Sequence, residues 1–331
     1  MKSNHYHVVI TDCDHGSIEE EKREFGLIGA ELILAQVREE MDLIRACKEA
    51  DGLINQYALL TRRVFEGLPK CKVVSRYGVG VDSVDLRAAT DLGIIVANVP
   101  DYCVDEVSNQ TIAMILTLIR KTAFFDRKVK SGLWDFHLGI PLYRIQGKTL
   151  GLIGSGRIGL EVAKKISAFG VKVIAFDPYL QKAGEGIELT DFDTVLKKSD
   201  FISIHCPLNE STRHLMGEQA FQKVEKKPIL INTSRGPIVD EKALIQALAE
   251  GRVSGAGLDV LEKEPPDPQN PLLKMENVIL SPHVSFYSVE SISELKRRTA
   301  ENVSAVLMGK LPRSVVNREV IGKTKAHISG G

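Results

Sequence analysis

Three side chains suited to acid–base or anion-binding chemistry each follow a short apolar run that predicts a β-strand. They are Arg235, Glu264 and His283, and the runs before them span residues 228–232, 254–258 and 278–280. Because the carboxyl ends of parallel strands open onto one crevice, we expect these side chains to converge. An arginine can bind a carboxylate and polarise a carbonyl, a histidine can donate a proton, and a neighbouring carboxylate favours the charged histidine. Together the three predict reduction of a 2-keto acid, whereas singly they have ordinary alternatives as a surface cation, a solvated acid and a loop histidine.

A glycine-rich turn predicts a dinucleotide site earlier in the chain. The apolar run 149–153 leads into Gly154, Gly156 and Gly159 in G-x-G-x-x-G spacing, and a helical pattern follows. These glycines allow a tight turn, close approach of a pyrophosphate and close helix packing. Asp177 ends the next predicted strand, where a carboxylate binds ribose hydroxyls and repels a 2′-phosphate. Since Lys182 is the nearest cation, the pattern favours NAD over NADP. A methyltransferase would also carry a glycine-rich turn, so this motif alone leaves the reaction open.

The elements that must position these residues alternate between short strands and helices, which predicts an α/β fold with doubly wound parallel sheets. Two βα blocks flank a long helix expected from about Val104 to Lys121. Residues 122–147 lose the alternation and are expected to be irregular. A second helical stretch is expected from Val289 to Met308, and the polar tail 320–331 is expected to be poorly ordered.

Length and composition exclude several classes of protein. The 331 residues suffice for about two domains. Lys plus Arg and Asp plus Glu both number 43, so bulk charge supports no nucleic-acid or anionic-membrane partner. No apolar run approaches the ~18–20 residues of a spanning helix, and the N-terminus lacks a secretory signal, so we expect a cytoplasmic protein. Five scattered cysteines without a C-x-x-C pair predict neither disulfides nor a metal site, and Cys13 with His15 is interpreted as a chance pair.

The sequence resembles the D-2-hydroxyacid dehydrogenases from about residue 7 to 317. The matching segments are GSGRIG, FDP, HCPLN, NTSRGPIVDEKAL, GLDV with EPP, and SPH, in the family's order. The resemblance implies a Rossmann NAD-binding domain at 101–283, inserted into a flavodoxin-like substrate domain formed by 1–100 and 284–331. It also implies a homodimer formed through an arm at about 104–147, and a small 2-keto or 2-hydroxy acid as substrate.

The resemblance also assigns roles to individual residues. It implies Arg235 as substrate binder, His283 as the acid/base and Glu264 as its partner. Backbone N–H groups of Val79 and Gly80 would hold the substrate carboxylate. The implied cofactor contacts come from Gly154, Gly156, Arg157, Ile158, Gly159, Asp177, His205, Pro207, Thr212, Thr233, Ser234 and Asp259.

Two positions leave the substrate open. Arg76 is expected to reach a second acidic group on the substrate or to pair with Asp82 or Asp101. Phe286 is expected either to line the substrate pocket or to pack at a hinge. The Arg-x-Gly-x-Gly-Val-Asp loop resembles phosphoglycerate dehydrogenases, whereas DPYL, HCPLNE and GKLP resemble C-terminal binding proteins.

The second of these branches has Trp-Tyr where this chain has Phe286-Tyr287. Formate is disfavoured as a substrate because formate dehydrogenases carry Gln in place of Glu264. Two functions follow: an NAD-dependent dehydrogenase, or an NAD(H)-responsive scaffold or corepressor with little activity. The retained Arg235, Glu264 and His283 favour the enzyme.

Overall fold

The computed structural model describes residues 5–182 and 184–328 of the chain. Contacts divide it into a first unit, Met1–Tyr102 with Ser288–Gly331, and a second unit, Cys103–Tyr287. The sequence predicts crossings after residues 100 and 283, and the observed ones follow Tyr102 and Tyr287. Within the described ranges, no helix has both the length and the apolar character needed to cross a bilayer.

The first unit begins with a five-stranded parallel sheet whose strand order is β2-β1-β3-β4-β5. Its strands are β1 (His7–Ile10), β2 (Glu31–Leu34), β3 (Gly52–Asn55), β4 (Val73–Arg76) and β5 (Ile95–Ala97), and its first helices are α1 (Glu19–Leu27), α2 (Glu40–Cys47), α3 (Arg62–Glu66) and α4 (Leu86–Asp91). This strand order is that of flavodoxin-like folds. The sequence pattern did not predict β2 or α1, because β2 is a largely exposed edge strand and α1 buries only two residues.

The second unit contains a seven-stranded parallel sheet in the order β12-β11-β10-β9-β6-β7-β8. Its strands are β6 (Thr149–Ile153), β7 (Lys172–Phe176), β8 (Ile187–Leu189), β9 (Phe201–Ile204), β10 (Ile229–Asn232), β11 (Gly255–Leu258) and β12 (Val278–Leu280). Its helices are α5 (Val104–Arg120), α6 (Thr122–Lys130), α7 (Arg157–Ser167), α8 (Phe192–Lys198), α9 (Glu218–Lys223) and α10 (Glu241–Ala249), and 3-10 turns cover Phe136–Gly139, Gly236–Ile238 and Pro271–Lys274. The order reverses between β6 and β9, the switch point at which such sheets bind ligands.

Both faces of this second sheet are covered, as the doubly wound prediction requires. Along β10, Ile229 and Ile231 belong to an apolar cluster that includes Ile115 of α5, while Leu230 points into the opposite cluster with Leu244 of α10. Strands buried on both sides read as continuous apolar runs, which explains why these strands were recognisable in the sequence. The prediction of two parallel-sheet α/β domains is confirmed.

The predicted long helix is present as α5. The prediction that residues 122–147 are irregular is wrong in part. Residues Thr122–Lys130 form α6, separated from α5 by Lys121 in the left-handed backbone region at φ +53°. No residue of α6 is buried. The helix therefore lacks the inward-facing apolar stripe from which helices are recognised.

The C-terminal segment also differs from expectation. The first unit closes with α11 (Val289–Leu307) and a 3-10 turn at Arg318–Val320. Val320 is fully buried, and the N–H of Lys325 donates to the carbonyl of Gly93 at 2.9 Å. The prediction of a poorly ordered tail is therefore wrong for 320–328, because backbone contacts that composition does not reveal hold it. Residues 329–331 of that prediction lie outside the described residues.

Asn317 joins this tail to β5. Its side chain is buried, accepts from the N–H of Val96 at 2.8 Å and donates to Thr90 Oγ1 and the carbonyl of Ile94. We expect Asn317→Ala to destabilise the protein by about 2 kcal/mol, because the Val96 N–H loses its partner in a buried place. Urea unfolding measures the change, with Arg318→Ala at the exposed neighbour as control. An unchanged midpoint for Asn317→Ala would show that the tail does not support the sheet.

Candidate active site

The glycine turn between β6 and α7 has the shape of a phosphate cradle. A Cβ on Gly154, which lies at φ +92°, would stand 2.7 Å from the backbone nitrogen of Cys206. A Cβ on Gly159 would stand 2.6 Å from the carbonyl oxygen of Gly154. Gly156 caps α7 and faces open space, with no atom within 4 Å of a Cβ built there. Two glycines thus permit the close packing, and the third leaves the helix N-terminus open to an anion.

Asp177 lies beside this cradle, one residue beyond the end of β7. One carboxylate oxygen accepts from the N–H of Ser155 at 3.0 Å, and the other accepts from the N–H of Tyr179 at 3.1 Å. A carboxylate has further lone pairs, so Asp177 can also accept from ribose hydroxyls. Its negative charge opposes a 2′-phosphate. The residues present therefore fit NAD.

The predicted cofactor contacts beyond β9 lie on connected turns of the second unit. His205 Nε2 is 2.8 Å from Ser203 Oγ, and desolvation lowers the pKa of the ring to about 4, so the ring is neutral. Thr212 Oγ1 donates to the carbonyl of Pro207 at 2.7 Å. Ser234 Oγ donates to the carbonyl of Cys206 at 2.6 Å, and Thr233 Oγ1 is 3.1 Å from Thr111 Oγ1. Two further predicted contacts, Arg157 and Ile158, lie earlier in the chain as the first residues of α7. Their contacts with the cofactor stay predictions.

Arg235 projects from a turn that Asn232 builds. The Asn232 side chain accepts from the N–H of Ser234 at 3.0 Å and donates to the carbonyl of Arg235 at 2.9 Å. Arg235 Nη1 donates in turn to the carbonyl of Ser234 at 2.8 Å. Sequence reasoning did not single out Asn232. The sequence feature that could have indicated it is a polar residue at the end of an otherwise apolar strand.

The structure brings His283 and Glu264 together as predicted. His283 Nδ1 is 2.7 Å from Glu264 Oε2, and the other oxygen of Glu264 accepts from the N–H of Leu261 at 3.0 Å. Because Nδ1 is engaged, Nε2 is the ring nitrogen available for proton exchange. The two side chains are 32% and 39% exposed, which leaves room for a substrate to reach them.

The electrostatics of Glu264 favour its charged form. Partial burial alone would raise the pKa of the carboxyl group, but the hydrogen bond and charge of His283, the N–H of Leu261 and the charge of Arg235 together lower it. The carboxylate therefore stays ionised to lower pH than an ordinary glutamate. Its pairing stabilises the fold above the ordinary glutamate pKa and is lost as pH falls through the lowered one. The influence of Arg235 on Glu264 also places the two in electrostatic range.

Asp259 holds the turn that carries His283. Its buried carboxylate accepts from the N–H groups of Val284 and Ser285 at 2.9 and 3.0 Å and from the hydroxyl of Ser281. Its carbonyl accepts from the N–H of His283 at 2.8 Å. The structure thus shows what Asp259 does for the turn, and the cofactor contact expected of it stays a prediction.

Phe286 lies beside the histidine. Its ring centroid is 6.2 Å from that of His283, with the rings inclined at 77°, and 6.5 Å from that of Tyr287. An edge-on aromatic neighbour at this distance is a favourable contact. The ring of Phe286 therefore forms an apolar surface beside His283.

The predicted substrate loop of the first unit follows β4. A Cβ on Gly78, at φ +135°, would stand 1.7 Å from Arg76 Nη1, so the guanidinium lies directly over this glycine. In the part of the chain that the structure describes, the N–H groups of Val79 and Gly80 donate to no other protein group. Asp101, an expected alternative partner of Arg76, is 2.7 Å from Arg298.

This fold and site define an NAD-binding α/β oxidoreductase, and known proteins agree. The family model described as D-isomer specific 2-hydroxyacid dehydrogenase, NAD binding domain, matches residues 112–285. A glyoxylate reductase of Korarchaeum cryptofilum is 39% identical over 84% of this chain and 86% of its own length. A D-3-phosphoglycerate dehydrogenase of Methanocaldococcus jannaschii is 39% identical over 97% of this chain, which spans 62% of that relative. The structure of an Aquifex aeolicus D-lactate dehydrogenase complexed with NAD and lactic acid matches with a TM-score of 0.83 at 28% identity, covering 98% of this chain and 100% of that one.

The chain belongs to the D-isomer specific 2-hydroxyacid dehydrogenase family. It is an NAD-dependent oxidoreductase that acts on 2-hydroxy acids. The predicted family, enzyme class and cofactor are confirmed.

Asp177 is expected to set the preference for NADH. Asp177→Ala should raise the KM for NADH and raise the NADPH-to-NADH ratio of kcat/KM by about ten-fold, because a charged hydrogen-bond acceptor and its repulsion of a 2′-phosphate are both lost. Steady-state kinetics with both cofactors measures the change. Glu185→Ala, at an exposed carboxylate in the following turn, is the matched control. An unmoved cofactor preference would exclude Asp177 as the ribose ligand.

Proposed function

We propose that this enzyme reversibly reduces a small 2-keto acid to the D-2-hydroxy acid, with His283 as acid/base. The contact between His283 Nδ1 and Glu264 Oε2 carries the proposal, because it aligns one imidazole nitrogen against an ionised acceptor and leaves the other for the substrate. The family supplies the reaction class, and this pair supplies the group that moves the proton. The first unit takes the substrate-binding role, and the second takes the NAD-binding role.

Each side chain then has a defined task. Arg235 binds the keto acid and polarises its carbonyl oxygen, which draws on the planar geometry of the guanidinium. His283 donates the proton on Nε2 to the oxygen as it becomes an alkoxide, and in the reverse direction Nε2 removes that proton. Glu264 stabilises the charged ring and fixes which nitrogen carries the exchangeable proton. When bound, NADH supplies the hydride.

The nature of the substrate depends on which of the predicted substrate residues bind it. Among the described residues, no protein group accepts from the N–H groups of Val79 and Gly80, and these donors suit a carboxylate. Arg76 favours a substrate with a second acidic group, whereas Phe286 favours an apolar one. The names of the relatives include both kinds of substrate. Glyoxylate reductase names a small keto acid, and D-3-phosphoglycerate dehydrogenase names a substrate with two acidic groups.

A panel of keto acids tests this function. NADH oxidation is measured with glyoxylate, pyruvate, hydroxypyruvate, 3-phosphohydroxypyruvate, phenylpyruvate and a methylthio keto acid, and NADH binding is measured separately by its fluorescence. We expect turnover of at least one substrate. NADH binding without turnover of any would contradict the enzyme and support an NAD(H)-responsive scaffold.

The role of His283 has its own test. His283→Asn should lower kcat by about 10²-fold or more, because the general acid is lost, while the dissociation constant of NADH changes little. His327→Asn, at a histidine near the end of the described chain, is the matched control. An unchanged kcat in His283→Asn would show that the proton comes from another group.

We also propose that the enzyme is a homodimer formed through residues 104–147. Apolar side chains are exposed together in this segment, namely Leu133, Trp134, Phe136, Leu138, Ile140 and Tyr143. An apolar patch of this kind is typical of an interface between subunits. Light scattering should give the mass of a dimer, and Trp134→Ser with Phe136→Ser should shift it toward the monomer. Tyr179→Ser, at an equally exposed aromatic elsewhere, should leave the mass unchanged.

A further inference from the structure

The loop that carries Glu264 is in backbone contact with the turn that carries Arg235. A Cβ on Gly236 would stand 1.9 Å from the carbonyl oxygen of Leu261 and 2.6 Å from the nitrogen of Glu262. No side chain fits between these two backbones. The peptide between Leu261 and Glu262 lies directly after the Leu261 N–H, which binds one of the Glu264 oxygens. Holding this peptide therefore fixes the neighbouring N–H group that orients Glu264.

Two glutamates outside the reacting set fix that peptide. The N–H of Glu262 donates to a carboxylate oxygen of Glu241, the first residue of α10, and the N–H of Glu241 donates to Glu262 Oε1 at 3.1 Å. The exchange is reciprocal, so each carboxylate binds the other residue's backbone. Asn270 Nδ2 donates to the second oxygen of Glu241 at 2.8 Å, and His214 Nε2 is 2.9 Å from Glu262 Oε1.

We propose that Glu241 and Glu262 form a positioning pair for the acid/base group of this enzyme, an inference that rests on the proposed function. With the peptide held from α10, the Leu261 N–H points at Glu264 Oε1 and leaves Oε2 to His283. Without the hold, Glu264 has a wider range of positions and spends less time against the imidazole. Neither residue of the pair is placed in contact with substrate or cofactor, so the effect reaches the chemistry through Glu264.

Kinetics of a double-mutant cycle measures this coupling. Glu241→Ala should lower kcat by about five-fold, the scale of one hydrogen bond, with little change in the KM for NADH. In a Glu264→Gln background the same substitution should lower kcat by less than about two-fold, because the target of the positioning is already altered. Glu241→Gln should retain most of kcat, since its amide oxygen can still accept from the Glu262 N–H. Glu250→Ala, at the other end of α10, is the control.

A second measurement needs no turnover. Histidine ring signals are recorded by NMR at one fixed pH, and the signal absent from His283→Asn is assigned to His283. In Glu241→Ala this signal should move from its position in the unaltered protein toward its position in Glu264→Gln, because the contact with Glu264 is weakened in both. In Glu241→Gln it should not move. If Glu241→Ala does not fold, Glu262→Ala takes its place, because it removes the carboxylate that accepts from the Glu241 N–H and so breaks the reciprocal exchange.

The two measurements separate the possible failures. Equal losses of kcat in both backgrounds, or an unmoved His283 signal with only a lower unfolding temperature, would reduce the pair to a helix cap and overturn the inference. Absence of turnover in the unaltered protein would instead reject the proposed function, while the NMR signal of His283 would still decide whether Glu241 positions Glu264 on His283.

Discussion

A histidine in the left-handed backbone region requires a turn whose backbone is fixed by other groups. In this protein the buried carboxylate of Asp259 fixes the turn that carries His283. His283 lies at φ +53°, where residues with a Cβ are uncommon. Asp259 occupies the end of the neighbouring strand with its side chain 2% exposed, and it fills its lone pairs with donors from the turn. Burying a carboxylate is costly unless donors surround it. The ends of β11 and β12 are thereby tied to each other, and the orientation of the imidazole depends on that tie.

The parts of this arrangement that sequence predicts are those with a local signature. Strands buried on both faces appear as apolar runs, the glycine turn has fixed spacing, and Arg235, Glu264 and His283 follow such runs. Elements without apolar residues facing the core were not predicted, and α6 and the edge strand β2 are examples. Their residues make few buried contacts, so burial leaves little periodicity in the sequence.

Other features escaped prediction because their partners are remote in the chain. Gly236 looks like any turn glycine until the Leu261 carbonyl is seen above it. Asn317 looks like a polar tail residue until Val96 is seen to donate to it. Glu241 looks like an acidic residue favourable at a helix N-terminus, which it also is. Contacts between residues far apart in the chain become visible only in the folded structure, because no local spacing of residues indicates them.

The attachment of the C-terminal segment to β5 has a consequence for biosynthesis. Strand β5 hydrogen-bonds with the segment around Val316, and α11 contacts β3 and β4. Residues 103–287 form a contiguous unit and can fold as they emerge, since domains generally fold as units during synthesis. The first sheet is made earlier than the second unit, but it lacks the cover of α11 and the pairing of β5 with the segment around Val316 until residues 288–320 have been made. The first sheet is therefore completed only after the second unit has been made, and its open edge needs protection from aggregation in the interval.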